Sequence, residues 1–435
     1  MDSSRALIIK LLGNLGGRQE VDQYIKQFSQ VEQQRFAVIK VGGKLLMDEL
    51  DGLASSLNFL LQVGLTPVVV HGAGPQLAAG FAAAGIDPKD WAQRTSPRAL
   101  EVVRRVFRQE NLRLVDALEG MGARARPIVG GAFEAEIDGE TARPTIVHTD
   151  SIESSIKAGS MPVLASLGET PGGQIVDLGP DAATRALAHQ LRPYKLIFLR
   201  EGGGLRDEFG DLVTAINLVE DYEPLLAEPW MTPATRHKLE LIHDLLQDLP
   251  RSSSVSITSP DRLARELFTH KGSGTLVRMG ERIRVHEALE SVDRTRLAAL
   301  LTAAFGRPPV ADYFQRKQFM RFYLADSYRA AAILTNGPVA YLDKFAVTGE
   351  AQGEGIGGSL WLRMTREIPR LFWRARVDNP INPWYFQRAD GSYTRGKWTV
   401  FWIGIDDFAT ISDCVERALA EPPTLEPAHS LGGAE

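Results

Sequence analysis

The sequence predicts an α/β protein of two successive domains, and three features carry that prediction. From Phe36 onward, short apolar strands end in glycine turns and alternate with amphipathic helices. That alternation implies a parallel sheet covered on both faces. A second strand, glycine turn and helix stands far downstream: Val339–Val347, then Gln352-Gly353-Glu354-Gly355-Ile356-Gly357, then Gly358–Ile368. The length of 435 residues suits two or three domains, and 44% hydrophobic with 24% charged residues is ordinary for a globular chain.

Composition removes several function classes. A net charge of −5 offers no electrostatic case for nucleic acid. No apolar run approaches the ~20 residues of a membrane span. The N-terminus lacks a basic-plus-apolar signal pattern. Cys414 is the single cysteine, so an intrachain disulfide is excluded and a reducing cytoplasm is the simplest location. One thiol and no His-Glu-x-x-His pattern give no reason to expect a metal site.

Residues 1–32 read as a helical arm, with apolar patches at Ala6, Leu7, Ile8, Leu11 and Leu12 and at Val21, Tyr24, Ile25 and Phe28. Such patches suit an oligomer or domain contact. The first domain, 33–282, begins with strand Phe36–Val41, ending in Gly42-Gly43, and helix Asp48–Val63. Strand Pro67–Val70 ends in His71-Gly72-Ala73-Gly74-Pro75. Ligands of such sheets bind beyond the C-terminal strand ends, where both glycine turns sit. Pro97–Leu118 reads as one long helix with Arg104, Arg105 and Arg108 solvated. Pro162–Ala165, Lys195–Leu199 and Ser254–Ile257 read as further strands, and Pro260–Phe268 as a helix. A boundary falls in Gly280–Ser291, and a second domain, 283–420, opens on helix Val292–Phe305. The segment 421–435, with its prolines and glycines, reads as a frayed, flexible tail.

The downstream glycine turn is a geometry for pyrophosphate, because N–H groups at a helix start lack internal partners and the helix dipole favours an anion there. Gln-x-x-Gly-x-Gly resembles the acetyl-CoA loop of GNAT acyltransferases. With it stand Tyr341-Leu342-Asp343-Lys344-Phe345, Leu371-Phe372-Trp373-Arg374-Ala375-Arg376-Val377 and Asn379-Pro380-Ile381-Asn382-Pro383-Trp384-Tyr385-Phe386. From Val310 to about Asp407 this set resembles the acetyltransferase domain of N-acetylglutamate synthases of the vertebrate-like and bacterial bifunctional synthase/kinase types. From about 33 to 280, Ile39-Lys40-Val41-Gly42-Gly43 and His71-Gly72-Ala73-Gly74-Pro75 resemble the amino-acid kinase family, a three-layer fold. The N-terminal arm is similar to the mobile helix of arginine-sensitive acetylglutamate kinases.

The resemblance implies acetyl transfer from acetyl-CoA to L-glutamate, the first step of arginine biosynthesis. Backbone groups of Gln352, Gly353, Gly355 and Gly357 would cradle the cofactor, and an N–H near Phe345, Ala346 or Val347 would polarise the thioester oxygen. Lys344, Arg374 and Arg376 are the candidate cations for glutamate; Arg374 and Arg376, two apart in a strand, share one face. With no histidine between His286 and His429, the amine proton would pass to a water chain or to the Asn379 carbonyl. Tyr385 is the candidate acid for the leaving thiolate, Tyr341 being structural. Trp373, Trp384, Trp398 and Trp402 are expected to pack the core.

In the first domain Lys40, Asp181 and Lys238 match the charged positions of the family's kinases, with Gly42, Gly43 and Gly72 in the loops. The acceptor grip departs from the pattern. Gln93 stands where an arginine is usual, and a neutral amide does not replace a bidentate guanidinium. Asp177, Pro233-Ala234-Thr235 and Arg200-Glu201-Gly202-Gly203-Gly204 depart too. Kinase activity is therefore expected to be lost or very weak, with ATP and Mg relevant only if it survives. Glu266-Leu267-Phe268-Thr269-His270-Lys271-Gly272-Ser273-Gly274-Thr275 resembles the arginine-effector site of regulated members, with Glu266 on the guanidinium and Gly272 and Gly274 in the turn. A homo-oligomer, tetramer or larger, is implied. Two rival readings stay open: a bifunctional synthase/kinase, and a non-catalytic arginine-sensing subunit.

Overall fold

The computed structural model describes residues 36–268, 273–349, 351, 352 and 355–427; the N-terminal arm, 1–32, lies outside them. The chain forms two compact units. One runs up to Met279; the other runs on from Gly280 and takes in Val219–Asp221.

The first unit is built on an eight-stranded sheet with Ala37–Val41 at its centre. Val68–His71 and Lys195–Leu199 flank that strand in parallel. Met161–Ala165 and Ala125–Ile128 extend one side; Ser254–Thr258, Thr275–Arg278 and Ala215–Asn217 extend the other. The central strands are buried on both faces, which is why they read as unbroken apolar runs. Alternate residues feed two cores: Val38, Val68, Val70, Leu196 and Phe198 on one face, Ile39, Val41, Val69, Ile197 and Leu199 on the other. The helix expected over 48–63 runs Leu50–Gln62, and a separate short helix, Gly43–Asp48, precedes it across Glu49. The long helix runs Pro97–Gly120, started by Ser96, whose hydroxyl accepts from the Ala99 N–H. A second sheet of four short strands, including Phe133–Asp138 and Thr141–Val147, was not anticipated.

The second unit is a seven-stranded sheet of β1 (Ile283–His286), β2 (Phe319–Ala325), β3 (Ala330–Thr335), β4 (Ala340–Val347), β5 (Leu371–Arg376), β6 (Gly391–Arg395) and β7 (Trp398–Ile403). Its order is β1-β2-β3-β4-β5-β7-β6, antiparallel except for β4 beside β5. Five helices accompany it: α1 (Arg294–Phe305), α2 (Tyr313–Arg316), α3 (Ile356–Glu367), α4 (Asn382–Phe386) and α5 (Phe408–Ala420). Helix α1 starts two residues later than expected because Asp293 caps it through the Arg296 N–H. The α3 side of the sheet packs Leu342, Ile356, Leu360, Trp361, Met364 and Trp373. The opposite side packs Tyr313, Phe322, Ile333 and Ala346 against α1.

Two irregularities position the site. Leu342 pairs with Leu334 and Lys344 with Ile333, so Asp343 is an extra residue, a β-bulge in β4. Strands β4 and β5 pair only at Ala340↔Leu371 and Tyr341↔Phe372. Beyond those residues the two strands part, and β4 runs on to Val347 and β5 to Arg376 without pairing with each other.

The frayed tail is a correction as far as Pro427. Val310 N–H donates to Thr424 O at 3.2 Å and Glu426 N–H to Pro308 O at 2.9 Å, so this segment lies as a strap along 307–317. Prolines made it look loose, but its carbonyls and side chains find cations.

Candidate active site

The opening between β4 and β5 leaves edge backbone groups of both strands without a neighbouring strand, as an extended ligand requires. On the α3 side, the glycine turn enters the helix at Gly355, whose φ of 82° is left-handed and favours glycine. No side chain caps α3 and no acidic residue lies in its first turn, so among the described residues no carboxylate stands at the helix start. Gly357 packs closely on β4: a Cβ at that position would lie 3.1 Å from a Val347 methyl. Gln352 is exposed, with its N–H on Thr348 O. Gly353 falls outside the described residues.

The same side carries an aromatic nest. Phe345 stacks on Trp384 at 5.6 Å and lies 6.5 Å from Tyr385, while Trp361 and Trp373 stand 5.9 and 5.3 Å from Tyr385. Tyr385 is thus brought beside Phe345 of β4, and burial pushes its hydroxyl well above the usual tyrosine range. Tyr341 is buried on the other side with Phe372. Of the four tryptophans expected in the core, Trp373 is buried; Trp384, Trp398 and Trp402 are half-buried. Arg388 lies over Trp384 and Arg374 over Trp398, which keeps those rings partly at the surface.

The cations lie on the opposite side. The bulge sends Asp343 and Lys344 together towards Tyr313. Lys344 Nζ donates to Asp343 Oδ2 and Thr424 Oγ1, both at 2.6 Å, and to Asp343 O at 3.1 Å, and it sits over the Tyr313 ring. Lys317 Nζ joins Asp343 Oδ1 at 3.0 Å and also meets Glu421. The Asp343 side chain is only 3% exposed; burial opposes its ionisation, but Lys344 and Lys317 hold its carboxyl down to about 2. Burial draws the Lys344 ammonium down while Asp343 works against that. Arg374 and Arg376 share one strand face, as their spacing predicts, but not one environment. Arg374 donates to Ala418 O at 2.6 Å and Pro422 O at 3.4 Å; Arg376 is exposed beside Asp378 at 3.1 Å.

Two features went unnoticed in the sequence. Lys317 belongs to no motif. Asn382 is buried and its amide donates to the carbonyls of Arg376 at 2.7 Å and Val377 at 3.1 Å, fixing the turn that holds Asn379. The repeated Asn-Pro spacing at 379 and 382 was the available signal. The Asn379 carbonyl, a candidate proton acceptor, already accepts the Asn382 N–H at 3.0 Å.

In the first unit, Lys40 pairs with Asp181, and Lys40 and Lys238 lie 5.2 and 5.7 Å from the Phe198 ring centre. Burial, then the Lys40 charge, brings Lys238 down to about 8. Gly43 and Gly72 are tightly packed; an added Cβ would meet Gln76 at 2.7 Å and Pro180 at 2.9 Å respectively, whereas Gly42 is open. Gln93 is committed locally, donating to Asp90 Oδ2 at 2.9 Å and accepting from the Asp87 N–H at 3.0 Å. Arg94 lies over Trp91 and donates to Glu140 O at 2.7 Å. Glu266 is buried and its Oε2 accepts the Ser273 and Gly274 N–H groups at 2.9 and 2.7 Å, so these two donors are already in use. Gly274 has no room for a side chain, since a Cβ would lie 2.3 Å from Ile257 O. Gly272 lies outside the described residues.

Comparison with known proteins identifies both units. Residues 35–248 match the amino acid kinase family, and 284–421 match the N-acetyltransferase domain of N-acetylglutamate synthase. The chain is 48% identical to the acetylglutamate kinase of Xanthomonas campestris over 424 residues, 94% of this chain and 100% of that one. It is 36% identical to the human mitochondrial N-acetylglutamate synthase over 411 residues, 91% of this chain and 74% of that one. A similar fold is that of N-acetylglutamate synthase from Neisseria gonorrhoeae, solved with coenzyme A and N-acetyl-glutamate, at a TM-score of 0.57 and 21% identity, covering 89% of this chain and 98% of that one. The same Neisseria synthase is also solved with coenzyme A and L-arginine, at a TM-score of 0.55.

Proposed function

The chain belongs to the family that joins an amino-acid kinase domain to the acetyltransferase domain of N-acetylglutamate synthase, and from that membership we propose that it acetylates L-glutamate with acetyl-CoA. The observation that carries this reading is the parting of β4 and β5. A thioester lying in that opening has the uncapped α3 start and the aromatic nest on one side. It has Lys344, Arg374 and Arg376 on the other.

In this reading the cofactor's pyrophosphate lies on the N–H groups from Gln352 to Gly357, and an N–H of Phe345, Ala346 or Val347 polarises the thioester oxygen. Arg374 and Arg376 take the carboxylates of glutamate. The amine proton leaves by water held at the Asn379 turn, and the nitrogen attacks the carbonyl carbon. As the C–S bond breaks, the thiolate takes the Tyr385 proton, and the second proton shed by the new amide nitrogen returns through the water to the Tyr385 oxygen. Burial keeps Tyr385 protonated throughout the neutral range but makes it a weaker acid than the thiol it serves, so the transfer has to be concerted with C–S cleavage.

The kinase-like unit serves regulation. Gln93 and Arg94 are both turned to local partners, which leaves no guanidinium fork for N-acetylglutamate. L-arginine is the effector, with Glu266 and the turn after it as the receiving region, and the working form is a homo-oligomer of four or more chains. The cytoplasm remains the proposed compartment, although the human relative is mitochondrial. No described helix is long and apolar enough to cross a membrane.

One observation favours a second reading: Lys40, Asp181 and Lys238 converge at Phe198 and the Xanthomonas relative is called a kinase. Residual phosphorylation of N-acetylglutamate is its signature. The experiment for the main reading is release of CoA thiol that depends on glutamate. In Arg374→Ala the KM for glutamate should rise about tenfold or more, as expected for one charged hydrogen-bonding partner lost. Unchanged KM with a lowered melting temperature would reduce Arg374 to a holder of the strap.

A further inference from the structure

Building on the acceptor site just described, we propose that Lys317 is a further specificity-determining cation for the acceptor's carboxylate. Glu421, the first residue after α5, is the intramolecular carboxylate that occupies its place until the acceptor arrives.

The strap reaches Lys317, Lys344 and Arg374 on this side of the sheet. Glu421 meets Lys317, Thr424 Oγ1 accepts from Lys344 at 2.6 Å, and Pro422 O accepts from Arg374 at 3.4 Å. Arg316 donates to Pro423 O as well. Lys317 and Lys344 are buried, with side chains 8% and 6% exposed. Their enclosed counter-ion is Asp343, a single charge for two lysines. Lys317, Lys344 and Arg374 set against Asp343 and Glu421 leave one positive charge; without Glu421 two remain uncompensated. An acceptor carboxylate replacing Glu421 restores the balance, so the exchange conserves charge in a site where unpaired charge is costly.

The strap is tied mainly by side-chain donors. Two main-chain hydrogen bonds, Val310 N–H to Thr424 O and Glu426 N–H to Pro308 O, are joined by Arg307, Arg316 and Arg374 on the carbonyls of Glu426, Pro423 and Pro422. Pro422 and Pro423 have no N–H to add, and both are exposed. A segment with few buried apolar contacts belongs to the low-stability end of a fold. Held in the same chain, Glu421 competes at a high effective concentration and lowers the fraction of molecules open to acceptor. A dicarboxylic acceptor can displace it at Lys317 while its other carboxylate is held near Arg376. A monocarboxylic amino acid has only one such contact.

The test is Glu421→Gln in the full chain, which keeps size and hydrogen bonding but removes the charge. The KM for glutamate should fall about threefold to tenfold, the range for loss of one competing charged contact. The kcat and the KM for acetyl-CoA should hold. An unmoved or raised KM for glutamate overturns the proposal. A fall in melting temperature alone would then mark Glu421 as structural. Lys317→Met should raise that KM and erase the preference for glutamate over glutamine; a retained preference counts against it. Hydrogen exchange in the unaltered chain covers the case of misfolded variants. The amides of Glu421, Thr424, Leu425 and Glu426 should exchange faster with saturating glutamate, and equal or slower exchange overturns strap release. A chain that acetylates glutamate with KM unmoved by Glu421→Gln defeats this inference alone. A chain that acetylates no glutamate defeats the proposed function and this inference with it.

Discussion

Asp343 has almost no water around it, and its four ties are Lys344, Lys317, the Tyr313 hydroxyl at 2.7 Å and its place in the bulge. Its carboxyl is held near 2, below the ordinary value of about 4. A carboxyl depressed on folding stabilises above its unfolded pKa, and that contribution fades as pH falls through the folded value. Asp343 therefore stabilises the fold at neutral pH, a contribution lost between about pH 4 and pH 2. Thermal melts of Asp343→Asn should begin lower at neutral pH and lose less on acidification than the unaltered chain. Parallel pH profiles of the two chains would refute the assignment. At this scale the sequence was partly legible. Arg374 and Arg376 share a face because strand periodicity is strict. Lys317 and Glu421 were invisible because residues 104 positions apart meet only through the fold.

The strand, turn and helix from β4 to α3 are the elements on which the cofactor assignment stands. Gly355 holds a φ of 82°, a conformation costing a side-chain-bearing residue about 1 kcal/mol or more. Gly355→Ala should raise the KM for acetyl-CoA several-fold while leaving the KM for glutamate near its original value, read from initial rates at saturating partner substrate. Equal effects on both substrates would mean the turn supports the whole unit rather than the cofactor. The strands of the first unit were readable because burial on both faces makes them continuously apolar. The four-stranded second sheet was not, since Thr141–Val147 is mostly exposed and mixes charge, proline and β-branched residues. The strap was misjudged for a related reason. Prolines signal a loop, and nothing local in Pro422-Pro423-Thr424 says that cations await it.

For the molecule as a whole, the proposed reading gives acetyl transfer to one unit and regulation to the other, which keeps Lys40, Asp181 and Lys238. Membership in a family containing both a bacterial acetylglutamate kinase and a human synthase makes the division of labour the central claim. It is tested by one paired assay on the purified full chain. CoA release is followed with acetyl-CoA and glutamate, and ADP release with ATP, Mg and N-acetylglutamate, each with and without arginine. Glutamate-dependent CoA release that responds to arginine, with ADP release at background, is the expected result. Brisk ADP release with no CoA formed would contradict it.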